Sequence, residues 1–349
     1  MTRFARLSPR QRRSGLAWAL AATATVAALV FPQLFGDQTS LATKCLIYGL
    51  VVVTLNLLVG YGGQVSLGHA GLFAVGAYVV AVLGTHFQTM TNAGVPRAGL
   101  PVPIELLAAG AATAVVGFLL GLPTGRLRGH YLAIATLGFG LAVPQLALNL
   151  SAITNGSEGL TVPVPTIVVF DFDSPLSLYY LTLVVVALSL IAVLSLLGTR
   201  TGRSVMAMRD SEAAALAMGI DVRRTKIVLF VTSAFLCGVA GGLFAHFNGL
   251  VAPSDYSFSL SLFFFAAVII GGLASIWGSM AGAVLLVVVQ NYGAGSSGLT
   301  PALVGAAVVI VLLLLPGGLA ALPRRLRQLW SRRRPHPVEA IAATAPGGE

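Results

Sequence analysis

Residues 178–198, LYYLTLVVVALSLIAVLSLLG, run into TRTGRSVMAMRDSEAAALAMGIDVRRTK at 199–226 and then into IVLFVTSAFLCGVAGGLFAHF at 227–247. The outer two stretches hold no Asp, Glu, Lys or Arg. Each is long enough to cross a hydrocarbon core, which takes roughly 20 apolar residues. The stretch between them carries Arg200, Arg203, Arg209, Arg223, Arg224 and Lys226. Two apolar spans joined by a basic loop are the mark of a helical membrane protein whose loop faces the cytoplasm.

Working outward, further apolar runs fall at about 15–35, 40–60, 65–84, 104–122, 130–150, 258–276, 279–291 and 301–322. The fold class that follows is an all-α polytopic membrane protein with about ten transmembrane or partly re-entrant helices, the short, glycine-bounded 279–291 run being the candidate half-span. The remaining arginines test this count. With the N-terminus inside, internal segments collect Arg3, Arg6, Arg10, Arg12, Arg13, Arg126, Arg128, Arg324, Arg325, Arg327, Arg332, Arg333 and Arg334. The outside keeps Arg97, with Lys44 placed to snorkel, while Asp37, Glu105, Glu158, Asp171 and Asp173 fall mostly in external segments. The chain therefore reads as a basic cytoplasmic tail (1–13), a transmembrane domain (14–323) with a cytoplasmic loop at 199–226, and a basic, Pro-, Ala- and Gly-rich tail (324–349). The uncharged stretch 14–35 is too long for a signal-peptide core and lacks a cleavage site, so it reads as a retained helix.

Composition closes off other classes. Of 349 residues, 56% are hydrophobic and 9% charged, against about a quarter charged in soluble domains. A soluble enzyme, a disordered chain and a disulfide-stapled module are excluded. The net charge of +10 does not signal nucleic-acid binding, because the arginines flank apolar runs. Cys45 and Cys237 lie in such runs without metal or redox spacing.

The spans hold almost no ionisable group, with His69 the clear exception. A lone histidine in a glycine-rich stretch reads as helix packing ahead of a proton relay. Ion-coupled carriers need charge near the bilayer middle, so a stand-alone secondary carrier is disfavoured, and no constellation supports a membrane enzyme. The lysines, Lys44 and Lys226, follow no glycine loop of the phosphate-binding kind; ATP, if used, is hydrolysed by a partner.

Two segments break the helical pattern. GYGGQVSLGHAG (60–71) offers Gln64, Ser66, Gly68 and His69, and GGLASIWG (271–278) offers Gly271, Gly272 and Ser275, as candidates for a translocation path. Paired broken helices in two halves of a transporter point to such a path. Small-residue stripes at Ala70, Ala74, Ala77 and Ala81, and at Ala234, Gly238, Gly241 and Ala245, suit close helix packing or solute contact. Thr201–Gly219 reads as a short helix stopped at Gly219, followed by an Asp221 N-cap. Its Val205, Met208, Leu216 and Met218 among charges suit docking on a membrane or a partner groove.

NLLVGYGGQVSLGHAGLFAVGAY (56–78) closely resembles the signature of branched-chain amino-acid ABC transporter permeases, in the wording of the M-type rather than the H-type subunit. RLRGHYLAIATLGFG (126–140), GSEGL (156–160), GRSVMAMRDSEAAALAMGI (202–220) and GGLASIWGSMAG (271–282) agree in order. The resemblance covers roughly 40–320. It implies the membrane subunit of a bacterial plasma-membrane importer, with a homologous H-type permease, two cytoplasmic ABC ATPases and an extracytoplasmic binding protein. No cofactor is held by this chain; ATP and Mg belong to the ATPases. The family's ATPase-coupling loop maps onto Arg209, Asp210, Glu212, Ala213, Ala214 and Gly219. The implied cargo is leucine, isoleucine, valine or a similar hydrophobic amino acid, with urea, short amides or another small solute as alternatives. The chain departs from the family pattern at Leu141–Pro144, where a glutamate is common, at Asn155 and Ala274, where glycines are usual, and at Met280.

Overall fold

The computed structural model describes residues 36–90, 96–124, 130–167, 170–171, 174–293, 305 and 318–321. The expected helix at 15–35, nearly all of that at 301–322, both tails and the loop holding Arg126 and Arg128 lie outside the described residues. Eight long helices and, in the arginine-rich loop, two shorter ones are described, besides a single α-helical turn at Ser151–Thr154: α1 (Thr39–Asn56), continued by a π turn (Leu57–Tyr61), α2 (His69–His86), α3 (Val102–Thr124), α4 (His130–Asn149), α5 (Pro175–Gly198), α6 (Arg200–Asp210), α7 (Glu212–Ala217), α8 (Val222–Asn248), α9 (Phe258–Gly271) and α10 (Ile276–Gly293). Among the described residues, six segments are long and apolar enough to cross a membrane.

The centre is built by α1, α2 and α8, and α3, α4 and α5 turn mostly apolar, exposed faces outward. Helix α8 packs most extensively against α3 and then α2. The small-residue stripes make that approach possible: a Cβ at Gly76 would lie 2.2 Å from the Gly238 carbonyl oxygen, and one at Gly241 would lie 2.1 Å from that of Phe73. Ala70, Ala74, Ala77, Ala81, Ala234 and Ala245 have no exposed surface. The stripes thus face neighbouring backbone, where a larger side chain would force the helices apart. Above them, Tyr48, Phe73, Phe244, Tyr256, Phe263 and Phe264 form a buried cluster with ring centroids 5.2–6.3 Å apart.

Three expectations of element length are corrected. The run at 65–84 becomes helical only at His69, because Gly63 (φ +66) turns the chain and 63–68 stays non-helical. The run at 258–276 stops at Gly271, where Gly272 (φ 104) and Ala274 (φ 56) form a tight turn. The shorter partner is consequently α9: its 14 residues span about 21 Å at 1.5 Å per residue. Helix α10 has 18 residues. The single helix expected at 201–219 is two helices, broken at Ser211, whose backbone is extended (φ −162, ψ 115) so that its hydroxyl accepts from Ala214 N.

At the end of the bundle away from α6 and α7, two-residue antiparallel ladders tie the loops. Leu160 pairs with Val251 and Thr161 with Leu250, fastening the segment after α4 to the end of α8. Thr89–Met90 pairs with Pro96–Arg97, and Thr166–Ile167 with Phe170–Asp171.

Candidate functional site: a buried joint beside the arginine-rich loop

The two glycine-broken segments meet, and Asn56 joins them. From the last turn of α1 its side-chain Nδ2 donates to the carbonyls of Gly272 (3.1 Å) and Ser275 (3.1 Å) and to Ser279 Oγ, while Oδ1 accepts from Ala274 N (3.0 Å). One amide thus holds both ends of the α9–α10 turn. Gly60 must lack a side chain for this: a Cβ there would fall 1.8 Å from Asn56 Oδ1 and 2.4 Å from Ala274 N. Gly271 and Gly278 face each other across the turn, each leaving room only for the other's carbonyl. Ser275 Oγ accepts from Gly278 N (3.1 Å), starting α10.

The 60–71 segment is pinned in the same way. Leu67 N donates to Thr136 Oγ1 of α4 (3.1 Å), and Ala70 N to Ser261 Oγ of α9 (3.2 Å). These satisfy backbone donors that a helix start would leave open. A Cβ on Gly68 would meet the Thr136 carbonyl oxygen at 2.3 Å. His69 is buried, with Nδ1 3.2 Å from Ser66 Oγ and Nε2 3.1 Å from Ser233 Oγ. Ser233 gives its own hydrogen to the Thr54 carbonyl (2.8 Å). It therefore accepts from His69 Nε2–H, while Nδ1 faces the Ser66 hydroxyl. Both ring nitrogens are engaged, and the imidazole ties the start of α2 to α8 and, through Ser233, to α1. Gln64 differs: it is 5% exposed, its backbone N donates to the Leu58 carbonyl (3.0 Å), and its side-chain amide has no partner among the described residues.

The arginine-rich loop touches this joint directly. Arg209, near the end of α6, lies beside Gly63, its Cγ 3.4 Å from the position a Gly63 Cβ would take. Thr199, Ser211 and Asp221 cap α6, α7 and α8 by accepting from Gly202, Ala214 and Arg224 N. Gly219 adopts φ +79 with nothing near its Cβ position. Asp210, Ala213 and Ala214 are exposed. Glu212 turns back instead, its carboxylate 2.7 Å from the Nζ of Lys226, whose side chain is buried. Leu216 (56% exposed) and Met218 (83%) stand out from the tip of the loop. The pair of short helices thus bares apolar side chains at its tip, while its inner side bears on the joint.

Hydropathy passed over several of these residues. Asn56 lies inside the quoted signature, yet its clamp pairs with residues 216 positions and more away. Thr54, Thr136 and Ser233 read as ordinary span residues. Glu105 requires a correction: placed among the external acids, it sits one turn into α3 with no exposed surface. Its Oε2 lies 3.0 Å from His246 Nε2 of α8, both side chains fully buried. The ring N–H is not aligned on the carboxylate, so the contact is one of proximity. His69 is therefore joined by a second intramembrane histidine and by a carboxylate, at the end of the bundle opposite the loop. The sequence signal for Glu105 was ambiguous, because an acid in a first helical turn also reads as a response to the helix dipole.

Residues 39–316 match the family model described as branched-chain amino acid transport system / permease component. The chain is 34% identical over 324 residues, covering 86% of its length and 74% of the relative, to the high-affinity branched-chain amino acid transport system permease protein LivM of Escherichia coli K12. LivM of Salmonella typhimurium is 34% identical over 82% of the chain and 71% of the relative. LivH of Escherichia coli K12 is 24% identical over 73% of the chain and 82% of the relative. No solved structure matches. The chain belongs to the branched-chain amino acid transport permease family, as a LivM-like membrane permease rather than an enzyme.

Proposed function

We propose that this chain is the membrane-spanning subunit of an ATP-driven importer that carries leucine, isoleucine, valine or a similar hydrophobic amino acid delivered by an external binding protein. The transport systems that its relatives are named for support the solute class. The positive-inside rule places the arginine-rich end in the cytoplasm. The observation that carries the reading is the contact of Arg209 with Gly63: it gives the loop that would dock an ATPase a mechanical hold on the two broken segments.

In this reading a cytoplasmic ATPase subunit docks on the exposed tip of the loop, with Leu216 and Met218 as apolar anchors, a second ATPase serves the other half of the importer, and an H-type permease completes the membrane part. ATP and Mg act in the ATPases. Their closure shifts α6 and α7, and Arg209 passes the displacement to the 60–64 turn. The Asn56 clamp then carries the 272–275 turn along as one body. Gln64, whose amide is unengaged among the described residues, is the polar group of the 60–64 turn left to meet a passing solute.

The experiment is uptake of labelled leucine into proteoliposomes holding this chain, its partner permease, both ATPases and the binding protein. Uptake that needs ATP and is competed by isoleucine and valine supports the reading. Leucine uptake driven by an ion gradient without ATP refutes the importer. ATP-driven uptake of urea or short amides in place of leucine refutes the solute.

A further inference from the structure

A cavity of about 380 Å³ opens between the start of α6, the 219–221 turn and the first turns of α8. Its chemistry is graded. Arg200, Thr201, Ser204 and Arg224 supply polar lining, while Ile220 and Val228 supply an apolar part. The two arginines have no carboxylate partner among the described residues: Asp221, the acid in the wall, is engaged in accepting from Arg224 N at 2.9 Å. Two guanidinium groups against one carboxylate leave the cavity with a net positive charge. Ser204 Oγ already donates to the Arg200 carbonyl (3.1 Å), so the guanidiniums and the Thr201 hydroxyl are the donors left for a ligand.

The position relative to the spans selects the ligand. Helix α5 ends at Gly198, two residues before Arg200, and its Leu194, Ile191 and Leu188 are exposed apolar side chains. Val228 already belongs to the apolar part of α8. The cavity is therefore lined by residues that directly follow one apolar span, α5, and open another, α8, and α5 offers exposed apolar side chains that acyl chains could meet. Guanidinium groups bind phosphate oxygens in bidentate fashion.

We propose that this cavity binds the phosphate of an anionic phospholipid from the leaflet at the arginine-rich end. A zwitterionic headgroup would return a cation to a site that already has an excess of positive charge. Bound there, the lipid bridges the base of α6 to the base of α8 and steadies the loop that carries Arg209. The proposal does not depend on which solute is carried, and its test reads lipid rather than transport.

The full chain with its partner permease is placed in nanodiscs of phosphatidylcholine alone or with added phosphatidylglycerol, and retained phosphatidylglycerol is counted by native mass spectrometry. The expected result is one tightly held phosphatidylglycerol. Arg200→Gln/Arg224→Gln should weaken it by roughly 30-fold, at about fivefold per arginine. Arg200→Lys/Arg224→Lys, keeping the charge without the fork, should fall between, and the neighbouring Arg223→Gln should leave it unchanged. Equal retention by the double glutamine variant, or equal loss in Arg223→Gln, overturns the proposal. Displacement by inorganic phosphate at matched concentration assigns the cavity to a free anion and overturns it too. Displacement on adding ATPase subunits assigns it to a protein contact, with the same consequence.

Discussion

Replacing Asn56 with alanine tests the joint where its geometry is most explicit. The substitution removes three donated contacts and one accepted one. Ser279 keeps its own bond to the Ser275 carbonyl (2.9 Å), so its hydroxyl is not stranded. The Ser275 carbonyl likewise keeps the Ser279 N–H and hydroxyl, so the groups that lose the Asn56 partner without such cover are the Gly272 carbonyl and the Ala274 N–H. An unsatisfied buried group costs about 1–3 kcal/mol, and part of this turn reaches solvent, so a total near 3 kcal/mol is expected. That is a large fraction of the stability of a folded protein, about 5–15 kcal/mol. Asn56→Asp should be worse than Asn56→Ala: a carboxylate can still accept from Ala274 N, but it faces the Gly272 and Ser275 carbonyls with no proton to give. Unfolding in SDS mixed micelles gives the stability change, and hydrogen exchange at residues 272–279 locates it. If Asn56→Ala unfolds within about 0.5 kcal/mol of the parent, as an ordinary surface change would, and those amides stay protected, the clamp does not hold the turn. In reconstituted uptake, the alanine variant should hydrolyse ATP with transport lost, since the loop then moves without carrying 272–275.

Ala274→Gly should raise stability by about 1 kcal/mol in the same titration, because alanine at φ 56 carries the steric penalty of the left-handed region. Glu212→Gln leaves the buried Lys226 ammonium without its partner; as Glu212 is partly exposed, a loss of about 1–2 kcal/mol is expected, and Lys226→Met added to it should recover most of that loss in a double-mutant cycle. Gly219→Val forces a branched side chain into φ +79, so it should uncouple ATP hydrolysis from uptake in a protein that still inserts; normal coupling in this variant would displace the coupling role from the α7–α8 turn.

Much of the architecture could be read from hydropathy and local stops. The spans at 40–60, 104–122, 130–150, 178–198 and 227–247 all appear as helices within a few residues, because a bilayer requires long apolar runs with backbone satisfied internally. The Gly219 stop and the Asp221 cap were equally legible, since capping depends on a residue and its near neighbours. Errors gathered where a local rule met a long-range contact. The 201–219 helix broke at Ser211, where a serine competes as an N-cap. The 258–276 run ended early because the turn at 272–275 is held from α1. Asn155 (φ 59) and Ala274 (φ 56), the two departures from expected glycine, both adopt positive φ: the backbone path is kept although the residue differs.

The sequence alone determined the membrane class, the basic side, the loop and the family, because those follow from hydropathy, charge placement and short motifs. Tertiary structure decided that Asn56 bridges the broken segments, that His69 has both nitrogens engaged, that Glu105 is buried beside His246 and that Glu212 turns inward to Lys226. The physical reason is distance along the chain. A buried polar group is defined by the partner that packing brings to it, and here those partners lie on other helices, out of reach of any pattern with a period of 3.6 residues.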